Sequence, residues 1–296
     1  MAQFKIFIDS TGDLPKDLRD EYGIDYCPMV VTVDEKEIVA SLDYDQGYSL
    51  KAFYDVMRAG RRIFTSQVPD QVFIEKFTAA LKEGKDVLYI ACSSKLSASV
   101  LAGEKVAQKL RTEYPERKIV VYDSKIACYG QGEMAIFASK MRKEGKSLDE
   151  VVAWLDENKF KFNQFATVDS LTYLKRAGRV SASSAFFGNI FGVKPILISD
   201  CLGQNLAVEK VKGTKPSLLY LAKAIVEAGE DLKGKTVFIG HADALQAAEF
   251  VRDEILKLAP GTEIYIGPIG PIVGASTGPG TIGAYVFGKE VTANRE

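Results

Sequence analysis

Short β-branched runs at residues 4–8, 29–33, 87–91 and 119–122 alternate with amphipathic stretches such as 71–82. That alternation confines the first half of the chain to a mostly parallel sheet covered by helices on both faces. Ser147-Leu148-Asp149-Glu150 has the form of a capping box, which opens a helix running through Trp154 towards Asn158. A boundary is expected soon after it. The predicted division is an N-terminal three-layer α/β/α domain over 1–162 and a C-terminal two-layer α/β domain over 163–296.

The second half uses the same elements with more glycine. Runs at 195–199 and 206–211 flank Asp200-Cys201-Leu202-Gly203, a spacing that predicts a hairpin and therefore antiparallel pairing. A mixed sheet with helices follows for that half. With 296 residues the chain is long enough for two cores. No repeat or long Pro/Gly linker separates them, so the two domains should pack closely.

Composition removes several function classes. Lys plus Arg total 38 against 39 Asp plus Glu, and no cationic run carries the interleaved aromatics that follow a phosphate backbone, so nucleic acid is not an expected partner. No apolar run approaches the roughly 18 residues of a membrane span. The opening MAQFKIFIDS lacks the regions of a secretory signal, and a cytoplasmic location is expected. Cys27, Cys92, Cys128 and Cys201 are widely spaced with no CxxC pair, which reads as reduced packing residues. One histidine and no acidic cluster at ligand spacing argue against a transition metal. The absence of a Walker A sequence argues against ATP as a cofactor.

Two motifs in the tail fail on context. Gly278-Pro279-Gly280-Thr281-Ile282-Gly283 fits GxGxxG, but only the 13 residues to Glu296 follow Gly283. A dinucleotide site needs a helix and a second strand there. Gly274-Ala275-Ser276-Thr277-Gly278 fits the GxSxG elbow, yet the only histidine, His241, precedes it. A triad of unusual order, with His241 and Asp243 serving Ser276, keeps a serine hydrolase as the alternative reading.

Hydroxyls cluster at the ends of the N-terminal strands: Asp9-Ser10-Thr11, Thr65-Ser66-Gln67, Ser93-Ser94-Lys95-Leu96-Ser97 and Asp123-Ser124. In open α/β sheets ligands sit outside the carboxyl ends of the strands. Neutral hydroxyls and free helix N–H groups can hold a carboxylate there without an arginine. Ser10 and Ser124 are read as helix caps, whereas Thr65 and Ser97 are either caps or ligand contacts, since a small pocket needs several convergent polar groups. The segment 184–193 is apolar nearly all round and bounded by glycines, so it is either buried against protein or lines a tunnel for an apolar ligand.

The ordered blocks IFIDSTGDL, TSQ, SSKLS, DSK with GQG, YLKRAGRVS, KPIL, HADA and GASTGPG, from residue 6 to residue 280, resemble the DegV family. The resemblance implies a carrier without chemistry of its own, holding a long-chain fatty acid in a buried tunnel between and within the two domains. It places the carboxylate on Thr65 and Ser97, with Ser66, Ser94 and Ser276 beside them, and the acyl tunnel along Phe186, Phe187, Ile190 and Phe191. Some family members are similar in role to the acyl-binding subunit of bacterial fatty acid kinase, which presents the carboxylate to a separate ATP-binding partner. Arg179 and Lys212 would be the partner-facing cations. Two positions depart from the family pattern: Ser276 stands in place of the histidine of GxHxGPG, and Lys212-Gly213 in place of Arg-Gly. Enclosure of the tail should survive both changes. A sensor using the same pocket is the third class that the sequence admits.

Overall fold

The computed structural model describes residues 4–43, 49–181 and 192–295. Strands β1 (Phe4–Asp9), β2 (Ile24–Cys27), β6 (Asp86–Ala91) and β7 (Ile119–Asp123) form an all-parallel sheet in the order β2-β1-β6-β7. The two central strands, β1 and β6, are buried at nearly every position, as expected of strands covered on both faces. Helices α3 (Asp70–Lys82) and α4 (Ser99–Glu113) pack on one face through Phe73, Phe77, Val106 and Leu110. Helices α1 (Lys16–Tyr22), α5 (Cys128–Lys143) and α6 (Leu148–Asn158) belong to the opposite layer. Ser147 and Glu150 close the expected capping box at the start of α6.

The run at 29–33 does not join this sheet. It is β3 (Met29–Val33), the centre of a separate antiparallel sheet with β4 (Lys36–Ala40) and β5 (Ile63–Ser66), in the order β4-β3-β5. The cause is local: only Pro28 separates β2 from β3, and a parallel return needs a crossover of a dozen or more residues. Asp34 and Glu35, both with positive φ (49° and 66°), turn the chain into a two-residue hairpin instead. Helix α2 (Leu50–Arg58) leads from this hairpin towards β5.

The remaining strands are β8 (Phe162–Thr167), β9 (Val193–Ser199), β10 (Asn205–Lys212), β11 (Thr236–His241), β12 (Glu263–Pro268) and β13 (Ile282–Phe287). They form one mixed sheet in the order β10-β9-β8-β13-β11-β12, with only β11 and β12 parallel. The β9–β10 hairpin has the predicted turn, with Gly203 at φ 85°. Helices α8 (Thr214–Gly229) and α9 (Leu245–Leu258) cover one face. The other face meets α5, which therefore lies between the parallel and the mixed sheet. Helix α7 (Thr172–Ala177) follows β8, and α10 (Pro271–Thr277) follows β12. The four cysteines are free and buried. No helix among the described residues is long and apolar enough to cross a membrane.

Candidate functional site

The site arises because α10 leaves the mixed sheet and packs on α2, β3 and β5. Two hydrogen bonds pin the turn before it, and one close approach pins the helix itself, to the N-terminal half. Tyr54 donates its hydroxyl to the Ile269 carbonyl at 2.7 Å, and the Gly270 N–H donates to Asp13 Oδ1 at 2.9 Å. Gly274 faces Tyr54 so closely that an added Cβ would stand 2.3 Å from its hydroxyl oxygen. Asp13 is fully buried and takes a second bond from the Cys128 thiol at 3.0 Å; burial pushes its pKa up to about 7.

Between α10, β5 and the loop after β6 lies a cavity of about 310 Å³, within the range of small-ligand sites. Its polar groups include Thr65, Ser66, Ser97, Ser276 and Arg179, and its apolar surface includes Met29, Leu96, Ile272 and Val273. Thr65 and Ser276 make no side-chain hydrogen bond among the described residues. Ser97 shares a 2.9 Å hydroxyl contact with Ser99 and accepts the Ser99 N–H at 3.2 Å. It can still turn a proton or lone pair to a ligand. Among the described residues no Asp, Glu, His or Lys lines this cavity.

Arg179 is the group that sequence reasoning placed differently. The structure puts it in the cavity wall, held by Nε donating to the Leu96 carbonyl at 3.0 Å and Nη1 to that of Ala177. A cation thus accompanies the hydroxyls. The YLKRAGRVS block contained the signal, but nothing local shows that the chain after α7 folds back to the Leu96 loop. Gln67, Thr11 and Asn205 also line the cavity and were missed as contacts. A smaller cavity of about 150 Å³ shares Thr65, Arg179 and Ser276 with the first and adds Arg61, Arg62 and Arg176.

Other predicted positions fall elsewhere. Ser94 donates its hydroxyl to Asp123 at 2.5 Å and is not among the residues lining either cavity. Lys212 is exposed at the end of β10, also outside both. Ser10 bridges the Ala40 carbonyl and the Met29 N–H, so its hydroxyl ties β3 and β4 to the parallel sheet in place of capping a helix. Ser124 bonds Ile126 within its own turn. Phe186, Phe187, Ile190 and Phe191 lie outside the described residues.

The hydrolase constellation is not assembled. Ser276 sits inside α10, six residues into the helix, where a nucleophile elbow requires the strand-to-helix turn. His241 Nδ1 accepts the Ala244 N–H at 3.3 Å and so cannot donate to an orienting carboxylate. Asp243 is paired with Arg58 at 2.6 Å. The tail GxGxxG runs into β13 and not into a helix.

The family model described as "Uncharacterised protein, DegV family" matches residues 3–289. The chain belongs to the DegV family. A DegV domain-containing protein of Clostridium perfringens is 36% identical over 288 residues, covering 97% of this chain and 98% of that one. Among solved structures, a DegV family protein from Thermus thermophilus described by its fatty acid binding matches at TM-score 0.87 with 28% identity, covering 97% of this chain and 100% of that one. DegV of Bacillus subtilis, described as a fatty acid binding protein, matches at TM-score 0.84 with 25% identity over 97% of this chain and 100% of that one. The motif blocks thus locate a DegV chain whose cavity carries Ser276.

Proposed function

We propose that this protein binds one long-chain fatty acid, its carboxylate in the cavity of Thr65, Ser97, Ser276 and Arg179 and its acyl chain in a buried tunnel between and within two domains, 1–162 and 163–296. The observation that carries the reading is the convergence of the hydroxyls of Thr65, Ser97 and Ser276, from distant segments, with one guanidinium on a cavity that also has apolar surface from Met29, Leu96, Ile272 and Val273. The fatty acid binding described for the Thermus and Bacillus relatives supports it. Burying about 16 carbons at ~0.8 kcal/mol per CH₂ is worth on the order of 12 kcal/mol in gross transfer free energy. A charge-assisted hydrogen bond adds roughly 1.5–3 kcal/mol. The tail therefore sets affinity, and the hydroxyls and Arg179 decide which end sits at the polar wall.

The same reading extends to presentation of the bound carboxylate to a separate ATP-dependent fatty acid kinase. The three further arginines of the adjoining cavity would favour an incoming anionic phosphate. The test is solvent extraction and mass spectrometry of protein purified from a bacterial host without detergent, beside an assay of activated esters. About one acyl chain per protein and no turnover is the expected result; turnover dependent on Ser276, with no co-purified acyl chain, would overturn it.

A further inference from the structure

A second cavity, of about 660 Å³, shares no lining residue with the two just described. Five rings enclose it: Tyr22 of α1, Phe137 of α5, Phe238 of β11, Tyr265 of β12 and Phe287 of β13. Glu133 of α5 lies in the same wall and is only 4% exposed. Its Oε1 accepts the Phe287 N–H at 3.0 Å, while Oε2 has no hydrogen-bond partner among the described residues. A buried carboxyl oxygen left without a partner costs free energy that packing alone does not return. Glu133 borders an aromatic cavity large enough for a small molecule, and its Oε2 is the buried polar atom on that wall still without a donor among the described residues.

We propose that this cavity is a second ligand site, which takes a small organic ammonium whose apolar body is enclosed by the five rings and whose N–H group donates to Glu133 Oε2. Ring faces attract cations, and one ammonium already rests on this wall: Lys140 Nζ lies 5.8 Å from the ring centres of both Tyr22 and Phe137. Glu21 and Glu263 balance Lys140 and Lys235, of which Lys235 is already bonded to the Gly229 carbonyl at 2.8 Å, so ionisation of Glu133 as an ammonium enters leaves the wall net negative.

The groups facing Glu133 are Lys140 on its own helix, Glu21 and Tyr22 on α1, Lys235 before β11, and Glu263 and Tyr265 on β12. Burial pushes the Glu133 pKa up to about 8, against the opposing effect of the Phe287 N–H and the two lysines. Burial raises Tyr22 above its ordinary value and puts Tyr265 at about 12, so both stay protonated where Glu133 titrates. An ammonium therefore displaces a proton from Glu133 as it binds below about pH 8, and its affinity should rise by up to about tenfold per pH unit until then. A neutral ligand accepting from the protonated acid would show the opposite trend.

The experiment is calorimetric titration of the full chain with 2-phenylethylamine at about pH 6, 7 and 8, alongside 2-phenylethanol and 3-phenylpropanoate as the neutral and anionic matches. We expect the amine to bind most tightly and to gain at least about tenfold from pH 6 to 8. In Glu133→Gln both the gain and about tenfold of the affinity should disappear, while a bound fatty acid is retained as the sign of a folded protein. Should that variant not fold, the exposed Lys140→Gln decides: removing a like charge should tighten the amine a few-fold. Equal or tighter binding of the alcohol, affinity that falls with pH, indifference to whichever variant is read, displacement of the amine by fatty acid, or no saturation by about 10 mM would each overturn the proposal.

Discussion

The two principal cavities meet the same helix at different points and handle polarity in opposite ways. The first touches Ala127, at the start of α5, and is lined by neutral hydroxyls and an arginine. The second reaches along Glu133, Phe137 and Lys140 and holds one buried carboxyl, which does titrate. Assembling several half-exposed neutral donors from different segments spreads the cost of desolvation over all of them. Burying one acid concentrates that cost on a single group, which then reports on pH and on whatever fills the cavity. Binding at the first should be blind to pH, whereas folding should feel the second.

The largest expected effect tests that statement through stability. Glu133 and Asp13 are held above their ordinary values, at about 8 and about 7, chiefly by burial. The native state therefore keeps protons that the unfolded chain has released. Their contribution is fully present below about pH 4, is lost as pH rises, and is gone above about pH 7 for Asp13 and pH 8 for Glu133. Each can contribute a downward slope of up to about 1.4 kcal/mol per pH unit within its window. Urea denaturation at intervals from pH 5 to 8 should show wild-type stability falling, and Glu133→Gln should remove the part that continues between pH 7 and 8. A slope unchanged by that substitution would leave the pH dependence to Asp13 and other groups.

Next in size is the link that brings the two halves of the first cavity together. Gly274→Val puts a branched side chain where even a Cβ would meet the Tyr54 hydroxyl oxygen at 2.3 Å. Overpacking of that kind costs about 1–3 kcal/mol in stability. It should also lift α10, and Ser276 with it, away from Thr65, weakening fatty-acid binding by about 100-fold or more while the folded fraction stays high. Native binding at full strength in Gly274→Val would show that α10 need not hold its place.

Thr65→Ala and Ser97→Ala should each weaken binding by about 10- to 100-fold, the equivalent of roughly 1.5–3 kcal/mol for a hydrogen bond to a charged group. The double variant should lose less than the product of the two, because both hydroxyls address one carboxylate. Fluorescent fatty-acid titration of the three proteins measures this directly; strict additivity would mean that they do not share a ligand group.

How much of this was legible beforehand follows from distance along the chain. Local pattern placed three of the four parallel strands, though not β2, together with the hairpin at Gly203 and the α6 capping box, because each depends on residues within a few positions. It misplaced 29–33, where the decisive fact was the single Pro28 ahead of the run and the Asp34-Glu35 turn behind it. The hydroxyl clusters pointed to the end of the sheet where the first cavity lies, yet Ser94 turned to Asp123, since a short side chain beside a carboxylate bonds it first. Arg179 could not be placed from sequence: its neighbour Leu96 is 83 positions away. Glu133 gave no local signal either, being one acid in an ordinary helical stretch until the mixed sheet closes over it.

The smallest expected effect concerns Ser276, where the chain departs from its family pattern and where the contrast between a pH-blind and a pH-sensitive cavity can be reversed by one substitution. Among the described residues no Asp, Glu, His or Lys lines the first cavity, and the one thiol there, Cys92, is pushed well above the ordinary range by burial. Fatty-acid affinity of the wild type should therefore be nearly flat between about pH 5.5 and 8, apart from the titration of the acid in solution. Ser276→His adds an imidazole that is charged only below its pKa, ordinarily about 6.5. The Arg179 guanidinium in the same wall holds that value down, so the added attraction is confined to the acid end of the range. Binding should be about 3- to 10-fold tighter at pH 5.5 than at pH 8 in the variant, within the reach of a partly solvated charge pair. Parallel pH profiles for the two proteins would show that position 276 does not face the carboxylate, and the ligand's head would then have to be assigned to Thr65, Ser97 and Arg179 alone.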